Sequence, residues 1–350
     1  MWQKNRVQKP TLGIAFLQKR FEKIITFENL LLASKKAIRG KKDKKAVATF
    51  YFNLENELIS LQSELTNESY RPQDYTLFEV REPKVRKICS SDFRDRVVHH
   101  AICNVIEPIF ERRAIYDSYA CRRGRGSHLA VARCQEYARK DKYYLKCDIK
   151  KFFDSVNHEI LKKILRKIFK DPKLISLLDI IIDHEVPGNP LGKGIPIGNL
   201  TSQHFANLYL SELDHFVKEG RQIKGYVRYM DDFISFANSK EELHQLLFEI
   251  DHFVKTILKM ELKQKVTKIA PVSEGVPFLG FRIYPNLIRI KRENLVRMRQ
   301  KIRRKERLFR SGRIGDKELF QSVNSIVAHV SHVNSLAERR KLFTKSLNLA

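Results

Sequence analysis

Asp231 and Asp232 stand side by side in Tyr229-Met230-Asp231-Asp232, between the apolar runs Gly225-Tyr226-Val227-Arg228 and Phe233-Ile234-Ser235-Phe236-Ala237. The pattern predicts strand, tight turn, strand, with two carboxylates at the turn. Adjacent acids repel and resist desolvation unless positive charge sits between them. A hard divalent cation, which takes oxygen ligands, is the usual answer. A solvated turn is the plain alternative, since Asp is a common turn residue. A third acid weighs against it. Asp148 lies near the end of Tyr143-Tyr144-Leu145-Lys146-Cys147-Asp148-Ile149. There Leu145, Cys147 and Ile149 share one face of a strand, and Tyr144, Lys146 and Asp148 the other. An acid at the end of an aromatic, apolar strand is costly without a partner. If the two segments are neighbours in one sheet, three carboxylates converge. Such a set would bind two divalent ions, the arrangement for in-line phosphoryl transfer: one ion activates a hydroxyl nucleophile and the other steadies the leaving pyrophosphate. Catalysis is then mostly positioning and charge neutralisation.

The composition fits a polyanionic partner. The chain has 350 residues, a formal net charge of +27 and 43% apolar residues. That length suits one large core or two to three subdomains, and the apolar content excludes a disordered basic tail. Lys and Arg in excess along the whole chain predict nucleic acid first and an anionic membrane second. No apolar run approaches the roughly 20 residues that a membrane helix needs. The opening residues lack the apolar core of a signal peptide. The five cysteines are odd in number and show no Cys-x-x-Cys spacing, which predicts reduced thiols, a cytoplasmic protein and no zinc site. A neutral-sugar glycosidase has no use for this charge. A Ser-His-Asp hydrolase lacks its Gly-x-Ser-x-Gly elbow, and Gly192-Lys193 lacks the P-loop spacing.

The remaining elements must position these groups. Leu54, Leu58, Leu61 and Leu65 predict an amphipathic helix over 50–65. Tyr75–Arg81 and Val85–Ile88 read as a hairpin turning at Glu82-Pro83-Lys84, with Arg81, Lys84, Arg86 and Lys87 at its tip. Arg forks there match phosphate oxygens; a charged edge that blocks sheet pairing has the same composition. A helix over 92–112 takes its buried stripe from Val97, Ala101, Val105 and Ile109. In Ser118 to Ser127, Arg122, Arg123 and Arg125 alternate with glycines, so guanidinium and backbone N–H groups can both approach phosphates. Asn157 caps a helix burying Ile160, Leu161, Ile164, Leu165 and Ile168, and a second helix runs from about Leu174 to His184. The polar stretch Ile197 to Gln203 opens another apolar helix and suits phosphate or base contact. Ser239-Lys240-Glu241-Glu242 is a capping box before the stripe Leu243, Leu246, Leu247, Ile250, Val254, Ile257. Val276 to Ile283 reads as a hairpin strand. From about Ile290 the chain is helical and very basic, including Lys301, Arg303 and Arg304, with further helices over 320–347. These would hold a duplex by its backbone.

Asp148-Ile149-Lys150-Lys151-Phe152-Phe153-Asp154 with Tyr229-Met230-Asp231-Asp232 downstream resembles a reverse transcriptase, in which the latter is the YMDD motif. Val276-Pro277-Phe278-Leu279-Gly280-Phe281 resembles that family's primer-grip hairpin. Arg94 to Val98 and Ser118 to Gly126 resemble finger motifs of bacterial, group II intron-like members; the likeness covers about 45–335. Ile197-Gly198-Asn199-Leu200-Thr201-Ser202-Gln203 replaces the Gln-Gly of intron-type and retroviral enzymes. This form resembles reverse transcriptases of diversity-generating retroelements, with phage-defence reverse transcriptases as the near alternative.

The resemblance implies an α+β right-hand polymerase: fingers and N-terminal extension in 1–143, palm of antiparallel sheet plus helices in 144–285 with an insertion about 157–195, and helical thumb in 286–350. It implies RNA-directed DNA synthesis with two Mg²⁺ ions, or Mn²⁺ in their place. The metal ligands are Asp148, Asp231 and Asp232, with the Ile149 carbonyl helping. Phe153 matches the steric gate against a ribose 2′-OH, so the substrates are dNTPs. Arg86 matches a triphosphate-binding arginine, with Arg81 or Lys84 beside it. Ile197 and Gly198 line the nucleotide pocket, and Lys265 lies near the leaving pyrophosphate. Arg122, Arg125, Gln203, Lys301, Arg303 and Arg304 meet nucleic acid. The partners are a template-repeat RNA copied with errors at adenines, its cDNA in an RNA–DNA hybrid, and a small basic accessory protein, with no membrane. The chain ends soon after the thumb-like segment, which leaves no room for the DNA-binding and endonuclease domains of some intron enzymes. A non-catalytic RNA-binding, maturase-like protein is the alternative of another class; the three intact acids argue against it.

Overall fold

The computed structural model describes residues 20–81, 85–337 and 340. The turn Glu82-Pro83-Lys84, and with it Lys84, lies outside the described residues, as do most of the helices expected beyond 337. The chain forms two compact units. One takes the residues up to Ile115, Lys150–Asp214 and His252–Glu261; the other takes Tyr116–Ile149, His215–Asp251 and the residues from Leu262 on.

The first unit is mainly helical. Asp171 starts the helix Pro172–Asp183: its carboxylate accepts from Leu174 N at 3.3 Å and from Phe21 N at 2.9 Å, and Pro172 occupies the first turn, where no N–H is needed. Asn157 accepts from Ile160 N at 3.0 Å and opens His158–Ile168, as its sequence predicts. Two expectations are corrected. The helix over 50–65 is divided at Asn53 into Lys45–Phe52 and Leu54–Thr66. The long helix Phe93–Arg113 buries Val97, Val98, Ala101, Ile102, Ile106 and Phe110, while Val105 and Ile109 are only half-buried. A step of four residues turns about 400° on a helix of 3.6 residues per turn, so a strict four-residue stripe drifts off the core face. Strands β1 (Thr76–Arg81) and β2 (Val85–Ser90) form an antiparallel hairpin in which every β1 residue is exposed.

The second unit is built on sheet. Strands β3 (Tyr143–Asp148), β4 (Gly225–Tyr229), β5 (Asp232–Ala237) and β6 (Lys268–Pro271) lie in the order β4-β5-β3-β6, all pairs antiparallel. Tyr144, Val227, Ile234, Phe236 and Ala270 join Ala130, Val131 and Cys134 of the helix Ser127–Lys140 in its core. The segment 276–283, read as part of a hairpin, forms the hairpin of β7 (Val276–Phe278) and β8 (Phe281–Ile283), joined to β9 (Ile288–Ile290) in a separate sheet. Leu279 and Gly280 both take positive φ, 44° and 88°, which is the demand of a tight two-residue hairpin turn.

Helices Arg292–Arg310 and Asp316–Ser331 end this unit. Leu295, Met298 and Val330 pack against the sheet core, whereas Ile302 and Ile326 form a small cluster of their own with Met298. The helix Lys240–Thr256 starts where Ser239 accepts from Glu242 N at 3.2 Å; the hydroxyl donates to Glu241 at 2.7 Å, so the expected capping box is present in its serine half. Ile257, 53% exposed, falls past the end of that helix and outside its stripe. None of the described helices is long and apolar enough to cross a membrane.

Candidate active site

The acids are placed by strand register. Tyr229 pairs with Asp232 across β4 and β5, leaving Met230 and Asp231 as the two loop residues of the hairpin. In the neighbouring pair Asp148 is the register partner of Asp232. Side chains directly opposed on antiparallel strands have Cβ atoms about 4.5–5.5 Å apart. The sheet therefore brings Asp148 and Asp232 to one place, with Asp231 preceding Asp232 in the chain.

Two carboxylates so close need positive charge, and lysines supply it. Lys146 Nζ bonds to Asp232 Oδ1, and Lys263 Nζ lies 3.8 Å from Asp148 Oδ1. Lys146 sits two residues before Asp148, on the same strand face, and reaches Asp232 along the diagonal. Burial raises the Asp232 carboxyl above its ordinary value; Asp148 adds to the shift, and Lys146 and Lys291 oppose it. Burial likewise lowers Lys291, helped by repulsion from Lys146. Among the described residues no three His, Cys, Asp or Glu side chains stand together as a ready metal-binding group. The donor set still suits a hard divalent ion: it is all carboxylate oxygen, burial holds one member above its ordinary value, and the counter-ions are flexible lysines that can swing away.

The neighbouring backbone is tightly held. Asp148 O accepts from Lys263 N at 2.8 Å, and buried Ile149 bridges to Leu262. Lys265 is exposed; Lys263 is the lysine of this segment that meets the acids. Arg122 donates to Ser118 O at 2.7 Å, and the Arg125 guanidinium lies 4.0 Å from the Tyr116 ring centre. Lys301, Arg303 and Arg304 are exposed around buried Ile302. All of these belong to the second unit.

Arg81, Arg86, Phe153, Ile197, Gly198 and Gln203 belong to the first unit. Arg81 pairs with Val85, and Arg86 with Val80, at the turn end of the β1–β2 hairpin, both side chains exposed. Cys89 N donates to Ile197 O at 3.2 Å, which docks Ile197-Gly198 against β2. Gly198 has φ +129°, and a Cβ there would stand 3.1 Å from Cys89 O. Ser91 donates to Asn199 Oδ1 at 2.6 Å, and Thr201 Oγ1 shares a 2.8 Å hydrogen bond with His99 Nδ1. Phe153 is half-buried, its ring edge-on to Phe152 at 5.4 Å, and its carbonyl accepts from Ile195 N at 2.9 Å. Gln203 is half-buried in the first turn of Leu200–His215.

Sequence reasoning missed Lys146 and Lys263 as partners of the acids. The two-residue period of β3 carries the signal for Lys146, which must share the face of Asp148. Nothing in the local pattern selects Lys263 over Lys265, because both project from an irregular segment.

An antiparallel sheet that presents paired acids at a hairpin turn is the arrangement expected of a template-directed polymerase palm. A family model described as reverse transcriptase (RNA-dependent DNA polymerase) matches residues 80–283, and the chain belongs to that family. The expected fold, α+β of the right-hand polymerase kind, stands with it. Protein YkfC of Escherichia coli K12 is 26% identical over 273 residues, covering 65% of this chain and 71% of that protein. Group II intron-encoded protein LtrA of Lactococcus lactis subsp. cremoris is 22% identical over 320 residues, covering 72% of this chain and 53% of LtrA. The chain thus spans about half the length of that intron-encoded relative. Among solved structures, apo telomerase from Candida tropicalis, truncated from its C-terminal domain, aligns at TM-score 0.47 and 13% identity, over 65% of this chain and 59% of that one.

Proposed function

We propose that this chain copies RNA into DNA, using Asp148, Asp231 and Asp232 as the ligands of two Mg²⁺ ions, with the Ile149 carbonyl as a further ligand. The observation that carries the reading is the register pairing of Asp148 with Asp232 beside the Met230-Asp231 turn. Bound there, the ions would supply activation of the primer hydroxyl and charge neutralisation of the pyrophosphate. The protein's own part is to hold the carboxylates together and aimed. Lys146 and Lys263 occupy that charge deficit in their absence. Phe153 excludes a ribose 2′-OH, Arg81 and Arg86 take the triphosphate, and Ile197-Gly198 forms a wall of the nucleotide pocket. Lys265 approaches the pyrophosphate. Arg122, Arg125, Gln203, Lys301, Arg303 and Arg304 hold template and product. The sheet and its acids act as palm, the β1–β2 hairpin and the helices around it as fingers, and the last basic helices as thumb.

The finer assignment is to the diversity-generating kind, in which a template-repeat RNA is copied with errors at adenines in the cytoplasm beside a small basic accessory protein. Ile197-Gly198 through Ser202-Gln203 supports it, because Ile offers the nucleotide no hydrogen bond where an amide would. The likeness to LtrA favours a second reading, an intron-type enzyme without that error pattern. Primer extension on an RNA template with dNTPs and Mg²⁺ tests the activity: wild type should extend and Asp231→Ala should not. Equal products from both would refute the site. Sequencing of the cDNA then separates the two kinds, since accurate copying of adenine contradicts the diversity-generating assignment.

A further inference from the structure

Among the described residues the largest wholly buried side chain is that of Arg228, 1% exposed, in the strand that leads into the acidic turn. A guanidinium in such a place is expensive unless its donors are used, and an apolar side chain would fill the space at less cost. Arg228 links the turn to Ser118. Its Nη1 donates to Met230 O at 3.1 Å and its Nη2 to Ser118 Oγ at 3.0 Å. The backbone ties the same partners: Arg228 N donates to Asp117 O at 2.9 Å, and Tyr119 N to Arg228 O at 3.0 Å. Ser118 and Arg228 thereby form a parallel bridge.

The bond to Met230 falls on a strained residue. Met230 has φ +55°, the left-handed region that glycine occupies freely and a side-chain-bearing residue does not. The Met230 carbonyl and the Asp231 amide are one rigid peptide plane. Whatever fixes that carbonyl fixes the direction in which Asp231 leaves the turn, and through it the start of β5 at Asp232.

We propose that Arg228, braced by Ser118, is a positioning residue: a buried latch that holds the Met230 peptide in its strained orientation so that Asp231 and Asp232 face a divalent ion. The proposal rests on the reading of those two acids as metal ligands. It places Arg228 behind the turn, acting through the backbone and touching neither metal nor substrate. It also ties the arginine- and glycine-rich stretch that follows Ser118 to the aim of the acids, because one bridge serves both.

The test uses the full chain with Arg228→Lys, Arg228→Met and Ser118→Ala. Free Mn²⁺ is followed by electron paramagnetic resonance as it titrates each protein without nucleic acid. Single-turnover primer extension with a dNTP titration is run beside it. Loss of a hydrogen bond to a charged group predicts Mn²⁺ affinity lower by about tenfold or more in both Arg228 variants, and by a smaller factor in Ser118→Ala. The maximal rate should fall in the same order, with KM for dNTP and the cooperativity of thermal unfolding retained. A purely structural role would instead shrink the burst amplitude and leave the rate per active molecule intact; that outcome overturns the proposal. So does wild-type Mn²⁺ affinity in Arg228→Lys and Ser118→Ala, which decide the matter if Arg228→Met fails to fold. A wild-type chain that binds Mn²⁺ but extends no primer would refute the polymerase reading alone, and the latch would stand or fall on the Mn²⁺ titrations.

Discussion

Gly198→Ala should weaken nucleotide binding through the backbone. At φ +129° a side chain is strained whatever the space around it. Holding a residue in so sparsely populated a region costs about 1–3 kcal/mol. The new Cβ would also meet Cys89 O at 3.1 Å and Ile88 Cγ2 at 3.3 Å. Carbon contacts prefer about 3.5–4.0 Å, so the segment must move back by a few tenths of an ångström. Retreat relieves both terms but stretches the 3.2 Å bond from Cys89 N to Ile197 O, the tie that docks this segment on β2. A penalty of about 2 kcal/mol, paid whenever the pocket wall is in place, corresponds to roughly a 30-fold rise in KM for dNTP, since each 1.36 kcal/mol is tenfold. If the wall contributes binding alone, kcat should hold while KM rises. Steady-state primer extension with a dNTP titration measures both, and thermal unfolding shows whether the first unit survives. Unchanged KM in a folded Gly198→Ala protein would refute the argument, because it would mean either that the wall lies away from the nucleotide or that the backbone there is soft.

Four other outcomes are expected. Asp148→Asn and Asp232→Asn should each abolish cDNA synthesis while leaving RNA affinity and cooperative unfolding intact; near-normal synthesis in either removes that acid from the site. Phe153→Ala should admit ribonucleotides, read as rNTP against dNTP incorporation, and undiminished rejection would dismiss Phe153 as the gate. Ile197→Gln should sharpen selection by a factor of up to about ten, the worth of one net hydrogen bond, in sequenced cDNA; an unchanged error spectrum would free Ile197 of any role in fidelity. Burial pushes His99 down to about 3 and His100 down to about 4, with neighbouring cationic groups adding to both. Groups so depressed favour the folded chain fully above the ordinary histidine value and lose that contribution as pH falls toward the lower ones. The melting temperature should therefore drop from about pH 6.5 downward, and His99→Gln should flatten that limb; a parallel limb would place the sensitivity elsewhere.

The acids were legible because two short-range rules converge on them. A two-residue period locates Asp148 at the end of β3, and a pair of apolar runs around Met230-Asp231 locates the hairpin. The pairing of β3 with β5 joins residues far apart in sequence, which no window of local pattern can contain; it could be posed only as a condition. The break at Asn53 was hidden because apolar residues keep helical spacing on both sides of it, Val47 and Phe50 before and Leu54 and Leu58 after. Strand β9, Ile288–Ile290, is too short to show an alternation. Arg228 was invisible for another reason: an arginine in a strand looks like a solvated side chain until the sheet closes over both of its faces.

The two last helices carry a mechanical consequence. Their attachment to the sheet core runs through Leu295 and Met298 at one end of the pair and Val330 at the other, so both anchors lie at the same base. Beyond Ile302 and Ile326 the described residues contribute nothing further to that small apolar cluster. The eight residues past Ile302, as far as Arg310, extend about 12 Å at 1.5 Å per residue. The pair is a cantilever, clamped at its root and bearing cations along its length. Its tip should exchange amide hydrogens well ahead of the sheet, in a gradient that steepens toward Ser311-Gly312. A load such as a translocating duplex would then bend the arm and leave the acids at the far side of the clamp undisturbed.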